Sequence, residues 1–238
     1  MRTRSRSAGF QPAQSAVPQG GAAPQAAKKA ALPAELAIRN RGHLPHWERE
    51  YGTYFVTFRL ADSLPKPILE SYVTERQKIL QVAEQQGREL TRLERIRVSE
   101  LFSKRIDSHL DSGTGACPLA KPAIAETVAE ALHRFDGERY RLLAWCVMPN
   151  HVHIVFEMMP GESLAKVIHS WKSFTANRAN SVLGSTGQFW QREYYDHLVR
   201  DEEDLGRVIR YVAENPSRAK LKRWPWVWTW GAGLQPAP

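Results

Sequence analysis

Two adjacent apolar segments separated by a two-residue turn constrain the fold of this chain most strongly. The first, YRLLAWCVM, spans residues 140–148, and the second, HVHIVFEM, spans residues 151–158. Pro149 and Asn150 between them are residue types that favour turns. Two strands joined by so short a connection must pair as antiparallel neighbours. The sequence therefore predicts a β-hairpin within an antiparallel sheet.

The second segment has two chemically different faces, because side chains two residues apart in a strand point the same way. One face carries Val152, Ile154, Phe156 and Met158, and the other carries His151, His153, Val155 and Glu157. The apolar face suits a core, whereas the histidine face suits chemistry better than burial. Two imidazoles in this arrangement can bind one metal ion. Taken alone, however, the pattern is more typical of half-exposed histidines without a ligand.

Hydrophobic periodicity predicts the other elements of the domain. Residues 51–60 and 194–199 are rich in β-branched and aromatic side chains, as strands are. Helical spacing is found over residues 121–135, 164–174 and 202–215. Asp201 can cap the last helix, and Pro216 is expected to end it. These elements predict an α+β fold, with helices packed on an antiparallel sheet of about four to five strands.

Composition divides the chain into a tail and one domain. Residues 1–38 are basic and rich in Ala, Gln, Pro and Gly, which predicts a disordered tail that either adds non-specific DNA affinity or is inert. Residues 39–238 are predicted to form a single domain. Within it, residues 66–110 have helical spacing broken near Gly87, which indicates a helical insertion. Residues 221–238 form a tryptophan-rich C-terminal arm.

The arm repeats tryptophan at every second position, at Trp224, Trp226, Trp228 and Trp230. In an extended chain the four rings share a face that could stack on unpaired bases or dock on the core. An exposed stripe of tryptophans would promote aggregation, which favours docking.

Charge and cysteine content narrow the class of protein. The 238 residues contain 33 Lys and Arg against 25 Asp and Glu, a net charge of +8, which favours a polyanionic partner. Cys117 and Cys146 are too few for a disulfide scaffold and are interpreted as packing residues. No segment has the pattern of a signal peptide or of a membrane helix. The sequence thus predicts a cytoplasmic protein without a membrane partner.

The last predicted helix adds a second group of functional candidates. Its core stripe consists of Leu205, Val208, Ile209 and Val212. Tyr211 lies on the flank of this stripe, and Asn215, four residues later, lies on the same flank. The Tyr211 hydroxyl and the Asn215 amide oxygen can therefore both face along the edge of the sheet.

Three segments in this order resemble the single-tyrosine HUH transposases, and in particular the REP-associated tyrosine transposases of bacteria. They are MPNHVHIVFE, FWQREYYDHLVRDEEDL and IRYVAENPSRAKL, and the resemblance extends over about residues 40–224. It implies a ferredoxin-like (RRM-like) HUH endonuclease core. It also implies that His151 and His153 bind a divalent ion, Mg²⁺ or Mn²⁺, and that Tyr211 is the nucleophile.

The third metal ligand stays open. The wider group has Gln four residues after the tyrosine, whereas this chain has Asn215, whose side chain is shorter. Asn215 could ligate directly or through water, or Glu214 could serve instead. Glu157, on the histidine face, is a lesser candidate for supporting the ligands.

The resemblance implies that the substrate is a single-stranded DNA hairpin. It therefore also implies that the protein is associated with the nucleoid. Candidate DNA-binding residues are Lys172, Arg178, Arg192, Arg207 and Trp224, although solvated surface charge is the default interpretation of each basic one.

Tyr194 and Tyr195 are rival nucleophiles, and His197 is expected to form a structural hydrogen bond. The sequence does not determine the oligomeric state, which is either a monomer or a homodimer.

The resulting hypothesis is a metal-dependent transposase that cleaves and rejoins hairpin DNA through a 5′-phosphotyrosine. No GxxxxGK[ST] phosphate loop occurs in the sequence, in agreement with strand transfer that needs no ATP. The main alternative is a domesticated hairpin-binding protein that no longer cuts. A rolling-circle replication initiator or relaxase, or a plain RNA-binding module, agrees less well with the sequence.

Overall fold

The computed structural model describes residues 37–41, 44–48, 51–91, 93, 94, 97 and 106–231. Every described helix and strand belongs to one compact unit, Ala34–Pro238. Ala37 and Ile38, which the sequence placed at the end of the tail, begin the first strand, and the rest of the predicted tail lies outside the described residues.

The described elements after residue 50 follow the order predicted from the sequence, and two strands that were not predicted precede them. The strands are β1 (Ala37–Arg41), β2 (Leu44–Glu48), β3 (Thr53–Arg59), β4 (Tyr140–Val147), β5 (His151–Met158), β6 (Tyr195–Leu198) and β7 (Val227–Thr229). The described helices are α1 (Lys66–Gln85), α2 (Ile106–Asp111), α3 (Pro122–His133), α4 (Leu164–Leu183) and α5 (Glu202–Arg218), with a 3₁₀ turn at Pro118–Ala120.

Five strands form the main sheet in the order β6-β3-β5-β4-β7, and every neighbouring pair is antiparallel. The predicted hairpin is its centre: the Met148 amide donates to the His151 carbonyl oxygen at 2.8 Å and closes the turn. β1 and β2 pair with each other in a separate two-stranded sheet. The predicted α+β fold with an antiparallel sheet of about five strands is therefore confirmed.

The sheet is covered on both faces. On the α3/α4 face, the apolar side of β5 packs with residues such as Val128 and Trp171 into the main core. On the α5 face, Phe55, Cys146 and Val155 pack against Val208 and Val212 of α5. This second face carries the histidines, so the expectation that it is poorly suited to burial is wrong. The apolar stripe of α5 covers it.

Pro216 does not end the last helix, contrary to the expectation. α5 continues to Arg218, and the Ala219 amide donates to the Asn215 carbonyl oxygen at 3.0 Å. Proline disfavours a helical conformation at the preceding residue and removes one donor. Near the end of a helix this cost is small, and here Asn215 and Pro216 are both buried.

Three of the four tryptophans dock on the domain, in agreement with the favoured interpretation, whereas Trp230 is 63% exposed. Trp226 and Trp228 pack on the α3/α4 face through β7, which extends the sheet beside β4. Trp224, however, lies on the α5 face, where its indole Nε1 donates to the Val147 carbonyl oxygen at 2.7 Å. The four rings therefore do not share one face. β7 covers only Val227–Thr229, so Trp224 lies outside the extended strand that the alternation assumes.

The insertion reaches the sheet through its last described helix. α1 ends before Gly87, whose φ of +61° is a conformation that favours glycine. Most of the second predicted helix lies outside the described residues. Ile106 and Leu110 of α2 pack with Tyr195 of β6, so this part of the insertion braces the sheet edge.

Among the described residues, no helix is long and apolar enough to cross a membrane.

Candidate active site

His151 and His153 face each other at the centre of the α5 face. Both side chains are 0% exposed, and their Nε2 atoms are 2.9 Å apart. The Nδ1 atoms are held from behind, His153 by the Thr57 hydroxyl at 2.8 Å and His151 by the Asn150 side-chain oxygen at 2.7 Å. These contacts fix the orientation of both rings, whose Nε2 atoms are hydrogen-bonded to each other.

Burial keeps the pair neutral. It lowers the pKa of His151 well below its usual range, and the charges of His153 and Arg59 lower it further. Burial, with a smaller effect of Arg218, lowers the pKa of His153 to about 3. Neutral imidazoles are the form that binds metal ions, and a histidine ligand commonly has its second nitrogen hydrogen-bonded as in this pair.

Tyr211 lies directly against this pair. Its ring centroid is 5.3 Å from that of His153 and 5.7 Å from that of Phe55, in edge-to-face arrangements. The side chain is half-buried, at the boundary between the histidines and solvent. Of the rival tyrosines, Tyr195 also contacts Phe55. It lies opposite Thr57 of β3, and Thr57 lies opposite His153 of β5, so strand β3 separates Tyr195 from His153.

Asn215 lies one helical turn after Tyr211 and is 0% exposed. Neither its amide oxygen nor its amide nitrogen has a hydrogen-bond partner among the described residues. A buried amide without partners costs about 1–3 kcal/mol, which makes Asn215 a candidate ligand. The described residues include no cluster of three or more His, Cys, Asp and Glu side chains suited to a metal. Imidazole nitrogens and an amide oxygen are donors that a divalent ion can accept, and Asn215 as the third ligand stays a prediction.

Replacing Asn215 with Leu should have opposite effects on stability and on metal binding. Removing the unpaired polar atoms should raise the unfolding free energy of the metal-free protein by about 1–2 kcal/mol. Mn²⁺ affinity should fall by about 10-fold or more. Denaturant unfolding and titration calorimetry measure the two effects. The control is Glu214→Gln, since Glu214 is exposed on the same helix. A loss of Mn²⁺ affinity in this variant alone would assign the third ligand to Glu214.

Helix α5 is held in place at its N-terminus by Asp204. The carboxylate accepts hydrogen bonds from the His197 ring Nε2 at 2.7 Å and from the Arg200 amide at 3.2 Å, and it pairs with Arg207. His197 thus has the structural role expected for it. Burial raises the pKa of Asp204, but these hydrogen bonds and charges outweigh it and hold the pKa below its ordinary value. Asp201 caps the helix as predicted, accepting from the Asp204 amide.

Replacing Asp204 with Asn should destabilise the protein by about 2 kcal/mol at neutral pH, because hydrogen bonds to a buried charge are lost. The pKa of this carboxyl is lowered by folding, so its contribution is complete above the unfolded pKa of about 4 and is lost as pH falls further. Unfolding curves of variant and wild type should therefore converge in acid. Glu203→Gln, in the same turn but exposed, should have little effect. A difference that persists at low pH would contradict this role.

The other predicted residues are not gathered at this site. Glu157 pairs with Arg141, and Glu214 is exposed. The Lys172 ammonium donates to the carbonyl oxygens of Gln191 and Arg192 at 2.6 and 2.8 Å. Burial is the main cause that lowers the pKa of Lys172 to about 8. This lysine therefore joins α4 to the segment before β6, and its role in DNA binding stays a prediction.

The remaining DNA-binding candidates differ in how freely they face solvent. Arg192 is exposed, and exposed Arg178 lies over the Phe174 ring. Arg207 is mostly exposed but pairs with Asp204. Trp224 is half-buried and hydrogen-bonded to β4. Their contacts with DNA remain predictions.

Sequence reasoning missed several residues that shape the site. Thr57 and Asn150 orient the histidines, and Arg59 lies opposite His151 in the sheet, 2% exposed, with its Nε donating to Gln191 at 3.0 Å. Asn150 directly precedes the histidine strand, so its position could have indicated a role. Thr57 and Arg59 depend on the register between β3 and β5, which no local pattern sets.

Part of this chain is similar in sequence to known proteins. The family model described as "Transposase IS200 like" matches residues 119–215. A protein of Haemophilus influenzae named as a REP-associated tyrosine transposase is 24% identical over 101 residues, covering 36% of this chain and 57% of the relative. An uncharacterized protein of the same organism is 23% identical over 100 residues, covering 32% and 54%. The chain thus spans little more than half the length of these curated relatives.

A solved structure of a REP-associated tyrosine transposase bound to a REP hairpin is also similar. It has 14% sequence identity and a TM-score of 0.42, covering 81% of this chain and 82% of that one. Residues 119–215, from the 3₁₀ turn to Asn215, match the IS200-like transposase family, and the resemblance of this chain to the REP-associated tyrosine transposases is confirmed.

Proposed function

We propose that this protein is a metal-dependent transposase that cleaves and rejoins single-stranded, REP-like hairpin DNA through a covalent 5′-phosphotyrosine at Tyr211. The observation that carries the proposal is the contact of Tyr211 with a neutral, convergent histidine pair, with unpartnered Asn215 one turn further along the same helix. The match to the IS200-like transposases, which are generally metal-dependent, supports it.

His151, His153 and Asn215 would hold a divalent ion, Mg²⁺ or Mn²⁺. A bound ion of this kind polarises a phosphate and stabilises the charge that develops during its displacement. Hydrogen bonds that join the two Nδ1 atoms to Thr57 and Asn150 orient the imidazoles. Packing of Val208 and Val212 on the sheet fixes the helix that carries Tyr211.

Tyr211 would attack the scissile phosphorus through its hydroxyl oxygen. The new bond joins the tyrosine oxygen to phosphorus and the P–O3′ bond breaks, with net transfer of the phenol proton to the released 3′-oxygen. The energy of the phosphodiester is retained in the phosphotyrosine. A 3′-hydroxyl can therefore reverse the attack and join strands, a reaction that needs no ATP.

Single-stranded hairpin DNA is the proposed partner. The Haemophilus relative is named for its association with REP sequences. The net charge of +8 favours a polyanion. Exposed Arg178 and Arg192 are available for phosphate contacts. A DNA substrate of this kind implies a protein of the cytoplasm, acting at the nucleoid.

A covalent-adduct assay tests the proposal. Labelled single-stranded hairpins from DNA flanking the gene are incubated with wild-type protein and Mg²⁺ or Mn²⁺, then denatured and separated by gel electrophoresis. A band that survives denaturation, disappears with chelator and yields a phosphopeptide containing Tyr211 is expected. A phosphopeptide containing Tyr194 or Tyr195 would move the nucleophile. Tight hairpin binding without an adduct under either metal would favour the domesticated DNA-binding protein.

A further inference from the structure

A charged side chain at the end of α5 lies beside the candidate nucleophile. Arg218 follows Tyr211 by seven residues and Asn215 by three, so the three lie on one flank of the helix. The guanidinium carbon is 5.0 Å from the centroid of the Tyr211 ring. Arg218 is itself exposed, so its donors are accessible to a ligand arriving from solvent.

The charge of Arg218 also acts on Asp111, where it opposes the rise that burial causes in the pKa of that carboxyl. No carboxylate among the described residues lies within ion-pair distance of its guanidinium. Stacking on a half-buried tyrosine ring stabilises an arginine only weakly, so packing alone is a weak explanation of its position.

Arg218 and a cation at His151 and His153 would repel each other across Tyr211 unless an anion lies between them. The proposed reaction brings such an anion to this place, because the phosphorus must approach the Tyr211 hydroxyl. Guanidinium groups match the non-bridging oxygens of a phosphate and can bind two of them at once.

We infer that Arg218 is a further catalytic residue, which binds the non-bridging oxygens of the scissile phosphate while Tyr211 attacks. The inference rests on the proposed function. As the bond from the tyrosine oxygen to phosphorus forms and the bond to the 3′-oxygen breaks, negative charge on those oxygens is redistributed. A positioned guanidinium stabilises this arrangement more than it stabilises the unreacted DNA.

The test compares initial rates of adduct formation by wild type, Arg218→Ala, Arg218→Lys and Arg210→Ala on one labelled hairpin with Mn²⁺. Arg210 is the matched control, an exposed arginine next to Tyr211 in the same helix. Arg218→Ala should slow the reaction by about 100-fold, the typical effect of losing one transition-state donor. Arg218→Lys should react faster than Arg218→Ala but slower than wild type, because lysine keeps the charge but cannot bind two phosphate oxygens in the bidentate way of a guanidinium. Arg210→Ala should stay within about three-fold of wild type.

Two further readouts separate catalysis from folding and DNA affinity. Hairpin affinity of Arg218→Ala should change by less than about three-fold, since a transition-state interaction affects the rate and not ground-state binding. Added methylguanidine should restore part of its rate, which a purely structural loss would not allow. A wild-type rate in Arg218→Ala, or an affinity loss as large as the rate loss, would overturn the assignment. If wild type itself forms no adduct, the proposed function fails first and this inference fails with it.

Discussion

Tyr211→Phe is expected to abolish the covalent adduct while leaving hairpin affinity within about two-fold of wild type. The variant loses one oxygen atom and keeps the ring that packs on His153 and Phe55. Because that oxygen would form the bond to phosphorus in the proposed reaction, the rate should fall by at least about 10³-fold. Gel quantification of the adduct over time, together with filter binding of the same hairpin, measures both quantities.

Tyr195→Phe is the matched control for this prediction. Tyr195 also contacts Phe55 on the α5 face, yet it belongs to β6 and not to α5. Its variant should keep a rate within about three-fold of wild type, as a surface-edge substitution away from the reacting groups does. An adduct that persists in Tyr211→Phe and disappears in Tyr195→Phe would reverse the two assignments.

His153→Gln should remove metal binding together with metal-dependent adduct formation. Loss of groups that only support a ligand typically lowers metal affinity about 10–100-fold, and loss of a ligand itself should lower it at least as much. Glutamine retains polarity and comparable bulk in a fully buried place, so the variant has a reasonable chance to fold. Mn²⁺ titration by electron paramagnetic resonance checks binding, and circular dichroism checks folding.

Thr57→Val tests the same metal site with a smaller change than His153→Gln. It removes only the hydroxyl that holds His153 Nδ1 at 2.8 Å, so affinity for Mn²⁺ should fall by about 10-fold and not be lost. Equal Mn²⁺ binding by wild type and His153→Gln would exclude this metal site. It would leave the convergent histidines as a purely structural pair, and the domesticated binder would gain support.

The fold was predictable where the determining information is local. The turn at Pro149 and Asn150 and the alternation of β5 define the central hairpin without reference to the rest of the chain. The prediction for Pro216 was wrong because a local preference of the backbone yields to burial of the helix end. Trp224 lies on the other face from Trp226 and Trp228. β7 covers only Val227–Thr229, and the alternation in the sequence does not show where a strand begins.

The site was predictable in its residues but not in its environment. Spacing and resemblance identified His151, His153, Tyr211 and Asn215. The sequence could indicate that α5 has an apolar stripe, but not which face of the sheet the stripe would cover. Burial of the histidines, and the depressed pKa of His153 that follows from it, therefore emerged only from the three-dimensional arrangement. Arg218 was missed because its contact with Tyr211 requires the side-chain directions on the last helical turn.

Helix α5 packs on the sheet face that carries His151 and His153, and both side chains are 0% exposed. Because solvent does not reach either ring, an ion could contact the Nε2 atoms only after neighbouring side chains had moved. In the proposed reaction, the rate at which ions enter and leave would then depend on that movement as well as on the affinity of the nitrogens.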